Sequence, residues 1–375
     1  MGMPFFLPLL VAAGIHADWA HVGPFASEEP IIAAPAAEEE EDGDDPAEAE
    51  SESFQPGMIG PEVRYTTDLS DAQLEQLWQG DLSALGSISV GFADQGRMIN
   101  AMHMPEDPAW ICQRPELAWG AQETVESLAT AFRTVHVQFP QSSPARLSNI
   151  GAREGGYLRP HRSHQSGRDA DIGFFYKNDA WPRAGARRER LMDPARNWAL
   201  IRALVTQTDV QVILVDRSVQ KVLREYALSI GEDRDWLGRI FGGKGGIVQH
   251  ARHHRDHFHV RFFAPRSQEL GRRIQPLLSQ RPEQNLVVHK VKPGQTLGQL
   301  ARAYKTSVAA IRKANRMRGS FLHLSQRLLI PLRGPCTHCP MPPPVTVRAR
   351  CLPPAPVGTA TTAAMTATTT ASAAP

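Results

Sequence analysis

Pro160-His161-Arg162-Ser163-His164-Gln165-Ser166-Gly167-Arg168-Asp169-Ala170-Asp171 is followed, about ninety residues later, by His253-His254-Arg255-Asp256-His257-Phe258-His259-Val260-Arg261. Residues i and i+2 of a strand point to the same face, so His257 and His259 can face one site, as can Asp169 and Asp171. Two imidazoles and a carboxylate converging from separate segments make a hydrolytic zinc site with an open position for water. A water on zinc has its pKa lowered to about 7, which supplies hydroxide near neutral pH. Either cluster alone also reads as a basic surface run or as satisfied core histidines; the two together favour metal. No helical His-Glu-x-x-His and no paired Cys-x-x-Cys accompanies them, so the zincin and zinc-finger patterns are excluded for this region.

Around these clusters the apolar pattern predicts mixed structure. Ser70, three residues before Gln73, fits a capping box ahead of Leu74, Leu77 and Trp78. Val125, Leu128, Ala129, Phe132 and Val135 recur at helical spacing up to Pro140. Asp193-Pro194 starts another helix, with Trp198, Ile201 and Val205 on one face, and Ser218 opens a further one carrying Val219, Val222, Leu223 and Tyr226. Val210 to Val215, Asp171 to Tyr176 and His257 to Phe263 read as strands. The expected class is α+β: a small antiparallel sheet flanked by helices over 61–266, followed by a second module.

Composition bounds the rest. With 375 residues, 42% hydrophobic and 21% charged, the chain is globular with room for about two domains, which excludes collagenous, coiled-coil and wholly disordered classes. No run of eighteen apolar residues suggests a membrane span. No Lys or Arg precedes Arg64, and thirteen Asp and Glu fall within residues 1–53. From residue 54 onward 26 acids face 41 bases, so the body is about +15 and suits anionic partners. A nucleic-acid role lacks interleaved aromatics and any recognition motif. Residues 1–24 read as a secretory signal without its positive n-region, and 25–60 as an acidic disordered tether. The chain is therefore expected to be periplasmic or otherwise exported.

His164 to Asp171 and His254 to Arg261 together resemble the penicillin-insensitive murein endopeptidase family, zinc peptidases of the lysostaphin/D-Ala-D-Ala-peptidase type. The family pattern His-Gln-x-Gly-x-Asp-x-Asp and then His-x-x-His-x-His-Val-Arg is complete here. The resemblance implies His164, Asp171 and His259 as zinc ligands, with His257 beside the metal as general base or stabiliser of the tetrahedral intermediate. It places His254 and His161 among the active-site histidines and makes Asp169 an orienting partner of a ligand. Arg159 and Arg261 are candidates for contact with stem-peptide carboxylates. The Arg-rich stretch from Trp181 to Arg190 is not part of the pattern.

Beyond 267–286, read as a polar linker, Val288-His289-Lys290-Val291-Lys292-Pro293-Gly294-Gln295-Thr296-Leu297 gives a strand, a Pro-Gly turn and a helix start. With Leu300, Ala301, Tyr304, Val308 and Ile311 on two helices and Leu328 to Pro331 as a closing strand, 287–332 forms a βααβ unit that resembles the LysM domain. That likeness implies binding of N-acetylglucosamine chains of peptidoglycan between Gly294, Gln295, Thr296, Leu297 and the loop from Phe321 and Leu322 to Gln326. Thr296 also reads as a helix cap, and Leu297 and Leu300 as core. The polar linker makes the module a tether, so the zinc site is expected to be independent of residues 287–375. In the tail, 333–375, Cys336-Thr337-His338-Cys339 with Cys351 and Cys112 favours disulfides after export over a second zinc site. The Thr/Ala-rich end reads as disordered.

The combined expectation is an exported zinc endopeptidase cutting D-alanine to meso-diaminopimelate cross-links in peptidoglycan and targeted by LysM. Two alternatives stand beside it: a catalytically inactive wall-binding protein, and a zinc carboxypeptidase trimming stem peptides.

Overall fold

The computed structural model describes residues 68–158, 161–179, 182–183, 186–335 and 341–355. The expected signal segment, the acidic tether, Arg159, Cys336, Cys339 and the Thr/Ala end lie outside the described residues.

Ser70 caps helix α1 (Asp71–Gly80) through the reciprocal box its spacing implied: Gln73 N donates to its hydroxyl, and Ser70 N donates to the Gln73 amide oxygen. The hairpin β1 (Ile88–Gly91) and β2 (Gly96–Ile99) follows, then β3 (Met102–His103), β4 (Trp110–Cys112), β5 (Trp119–Gly120) and the long helix α2 (Gln122–Gln138). Next come β6 (Ala145–Asn149), β7 (Asp169–Gly173), a short α3 (Arg188–Leu191) and α4 (Pro194–Gln207). Asp193 starts α4 as expected, accepting from Ala195 N and Arg196 N with Pro194 at the first position. Strand β8 (Val210–Val215) is buried along its whole length. Helix α5 (Arg217–Ser229) is capped by Asp216 rather than opened by Ser218, because the carboxylate accepts from both the backbone and the hydroxyl of Ser218. α6 (Arg234–Ile240), β9 (Val248–His250) and β10 (His257–Phe262) complete the lobe.

Six strands form the main sheet in the order β4-β6-β7-β10-β8-β9. The inner pairings are antiparallel, as expected, while both edge pairs, β4 with β6 and β8 with β9, are parallel. Alternation along β10 sends Phe258, Val260 and Phe262 into the core with Val125, Leu128, Phe132, Trp198 and Ile201 from α2 and α4. His257, His259 and Arg261 therefore take the other face. The register sets His259 opposite Asp171 and Arg261 opposite Asp169, so folding of the sheet alone joins the two distant sequence clusters.

The segment read as a polar linker is folded. Helix α7 (Pro265–Arg273) and a 3-10 turn from Gln275 to Gln280 bury Leu270, Ile274 and Leu278 in a second core with Leu74, Trp78, Leu85, Ile88, Val90 and Ile99. α7 crosses β1 so closely that a Cβ on Gly271 would stand 1.9 Å from the Ser89 carbonyl oxygen, which only glycine permits. Ile274→Ala is expected to lower stability by about 2–5 kcal/mol. A urea titration checks this, with a lower midpoint at an unchanged slope as the expected outcome.

The last module is β11 (Leu286–Lys290), α8 (Leu297–Ala303), α9 (Val308–Ala314) and β12 (Arg327–Pro331), the expected βααβ order, closed around Val291, Leu297, Leu300, Ile311, Leu328 and Ile330. The chain then returns to the first lobe. Val345 and Val347 are buried, Cys351 joins the main core, and Trp236 Nε1 donates to the Cys351 carbonyl at 2.8 Å. Removal of 287–375 would strip these residues from the lobe, so the segment after the LysM-like module is packed on the first lobe and not only appended to it. Cys112 and Cys351 are free thiols, against the expectation of disulfides for them. Among the described residues no helix is long and apolar enough to cross a membrane.

Candidate metal centre

Asp171, on β7, is the hub. Its Oδ1 lies 3.1 Å from His259 Nδ1, 3.2 Å from His164 Nε2 and 3.7 Å from His257 Nε2. Its Oδ2 lies 3.4 Å from His161 Nδ1 and accepts from Asn149 Nδ2 at 3.0 Å. Donor atoms of His161, His164 and Asp171 all lie within 4.8 Å of one another.

The loop between β6 and β7 holds its two histidines in different ways. His164 is fully buried in the left-handed region, with φ 67°, a conformation that a non-glycine residue keeps only when its surroundings enforce it. Its Nδ1 donates to the Ile150 carbonyl at 2.8 Å, which fixes the tautomer and leaves the Nε2 lone pair facing the Asp171 carboxylate. Nε2 has no hydrogen-bond partner. Two acceptors 3.2 Å apart in a buried place repel unless a cation or proton lies between them, so this pair suits a metal ion. His161 is only partly buried, and its ring meets that of His164 edge-on at 4.8 Å.

Electrostatics separate the histidines into two kinds. Burial lowers His161 to about 4, against the pull of Asp171. Burial and the neighbouring His257 and His259 lower His254 to about 3. Both rings are therefore neutral at pH 7, the form a metal requires. Burial also opposes charge on His259, but hydrogen bonds from Nδ1 to Asp171 and from Nε2 to Asp169, at 3.1 and 3.0 Å, carry it up to about 10. Burial would raise Asp171 and Asp169, yet the histidines around the first, and Arg261 with His259 around the second, hold both well below the usual carboxylate range.

Arg261 corrects one expectation. It is 1% exposed, and its Nε donates to Asp169 Oδ1 at 2.7 Å, so it braces the site from beneath and cannot reach a stem peptide. His254 and His257 stand with ring centroids 4.9 Å apart at the rim. Three partners were not anticipated: Asn149 on Asp171, the Ile150 carbonyl on His164, and Asp256, whose Oδ1 accepts from His257 Nδ1 at 2.7 Å. Asp256 was visible as the residue next to His257; Asn149 and Ile150 carried no signal, since one side-chain amide and one backbone carbonyl look like any strand end.

A family model described as penicillin-insensitive murein endopeptidase matches residues 89–282, just over half of the chain and the whole of the histidine site. The chain belongs to the penicillin-insensitive murein endopeptidase family. A LysM domain model matches residues 289–331, the βααβ module. The two together imply peptidoglycan binding by this murein endopeptidase. No curated protein matches the chain.

Within the LysM domain the expected glycan residues differ in setting. Thr296 caps α8 through a reciprocal box with Gln299, and Leu297 lies in the module core. Gln295 is drawn inward, its Oε1 accepting from Lys292 N and standing 2.8 Å from His289 Nε2. Gly294 is exposed with φ 76° at the turn. Phe321 is 76% exposed and Leu322 partly buried, so the loop before β12 presents an exposed aromatic ring beside the module core.

Proposed function

We propose that this endopeptidase is exported, uses zinc, and hydrolyses the D-alanine to meso-diaminopimelate cross-links of peptidoglycan. The observation that carries the reading is the set of imidazoles converging on Asp171, with the His164 lone pair held toward the carboxylate by the Ile150 carbonyl. His164, Asp171 and His259 are proposed as the ligands, with His161 close enough to complete or replace one of them. When bound there, zinc supplies Lewis-acid polarisation of a carbonyl and a water acidified to near neutral pH.

The chain's own groups supply the rest. Asp256 holds the Nδ1 proton of His257, so Nε2 is the atom that points at the centre. His257 is partly exposed and can accept a proton from an attacking water or hydrogen-bond the developing oxyanion, then return the proton to the leaving amine. Arg261 and Asp169 keep His259 in place from below. No serine acyl-enzyme is needed, so activity should be indifferent to β-lactams.

Purified full-length protein should carry about one zinc per chain and convert cross-linked muropeptide dimers to monomers, an activity lost with chelator and restored by zinc. Release of terminal D-alanine from uncross-linked muropeptides, with dimers left intact, would turn the reading to a carboxypeptidase. Protein without metal that still binds glycan would turn it to a wall-binding protein.

A further inference from the structure

The LysM module and the metal centre are joined through one hairpin tip. Consecutive residues at the turn between β1 and β2 face opposite ways. The Ala93 carbonyl accepts from Gln165 N at 3.0 Å, one residue after His164. Asp94 Oδ2 lies 3.4 Å from Arg327 Nη2, and Gln95 Nε2 donates to the Val288 carbonyl of β11 at 3.0 Å. Arg327 is the residue directly after the exposed loop that runs from Phe321 to Gln326. Thus the root of the proposed sugar-binding loop and the root of the proposed metal loop hang on the same tip.

Two further links limit rotation. Arg97, 3% exposed on β2, donates to the backbone and the side chain of Gln284 just before the module. Glu154, whose carbonyl accepts from Met98 N, sits 3.8 Å from Arg316 after α9. Asn285 is buried and ties the entry of the module to its exit through Leu332 O and Gly334 O. A tether needs a flexible connection; this one is folded on both sides, with α7 before it and the returning segment around Val347 after it.

We infer that the loop from Phe321 to Gln326 and the metal centre act as one fixed substrate surface, whose occupant is a glycan strand still bearing its cross-linked stem peptide. This rests on the peptidase reading proposed above. On a flexible tether the module would raise local concentration for any nearby bond. Held by the hairpin, it instead selects peptides attached to the sugar chain it grips, because the spacing between sugar and scissile bond is set by the fold.

The test uses the full chain and two soluble substrates: a muropeptide dimer, and cross-linked fragments that keep strands of several disaccharides. Wild type should favour the strand-bearing substrate in kcat/KM by about tenfold or more. Asp94→Lys, which sets like charges against each other at Arg327, should lose that preference. Its rate on the dimer and its affinity for peptide-free glycan strands should stay as in wild type. Arg327→Glu alone should behave like Asp94→Lys, and the double variant, with the charges exchanged, should recover the preference. A preference that survives in both single variants, or that wild type lacks, overturns the fixed surface. Failure of wild type to cut either substrate would instead overturn the peptidase reading, so the two failures are told apart.

Discussion

Asp171→Ala should strip the metal and stop hydrolysis together. Four imidazoles stand within 3.7 Å of this one carboxylate, and no other acid in the site faces His161, His164 and His257 at once among the described residues. Its removal takes away the proposed charged ligand and leaves buried rings without the negative charge they surround. Loss of a partner one step removed from a metal typically costs 10–100-fold in affinity, so loss of a ligand should exceed about a hundredfold. Dialysed variant should therefore hold almost no zinc by elemental analysis and leave muropeptide dimers intact. Its LysM core, which shares no residue with the site, should keep glycan binding. Asp171→Asn separates charge from shape: it preserves the Asn149 contact region while removing the charge, and should fall between the two. Stoichiometric zinc with ordinary turnover in Asp171→Ala would end the ligand assignment.

Strand alternation made the chemistry legible in the sequence, because His257, His259 and Arg261 fall on one face whatever the partner strand. That His259 and Asp171 meet came only from the family resemblance; their cross-strand register was not legible, since register across some ninety residues is set by packing of Phe258 and Val260 in the core and not by local pattern. Arg261 misled for the same reason. The positive balance of the body makes this arginine read as a contact for stem-peptide carboxylates, and only the opposing Asp169 explains its burial. Helices with strong caps, at Ser70 and Asp193, were readable to within a residue or two. α7 was not: Arg266, Arg272 and Arg273 dominate its composition, while Leu270, Ile274 and Leu278, four apart, are what dock it. Val345 and Val347 were hidden likewise, as isolated apolar residues among prolines whose burial depends on a return of the chain to the first lobe.

His257→Ala should separate metal binding from chemistry. His257 Nε2 is 3.7 Å from Asp171, farther than His164 or His259, and its other nitrogen is engaged with Asp256. That geometry fits a group poised to exchange a proton better than one that holds the ion. His164, Asp171 and His259 remain in the variant, so zinc content should match wild type. What is lost is a single acid/base or oxyanion-stabilising group, typically worth about 10²–10⁴ in rate. The loss should appear in kcat with little change in KM, because the ring acts on charge that develops in the transition state. Asp256→Asn provides a graded companion: the ring stays in place but its Nδ1 proton is no longer held by a charged acceptor, so kcat should fall by less than in His257→Ala and the zinc should again remain. If His257→Ala instead sheds zinc as completely as Asp171→Ala, His257 belongs to the ligand set, and the proton must pass through His254, whose ring stands 4.9 Å from it at the same rim.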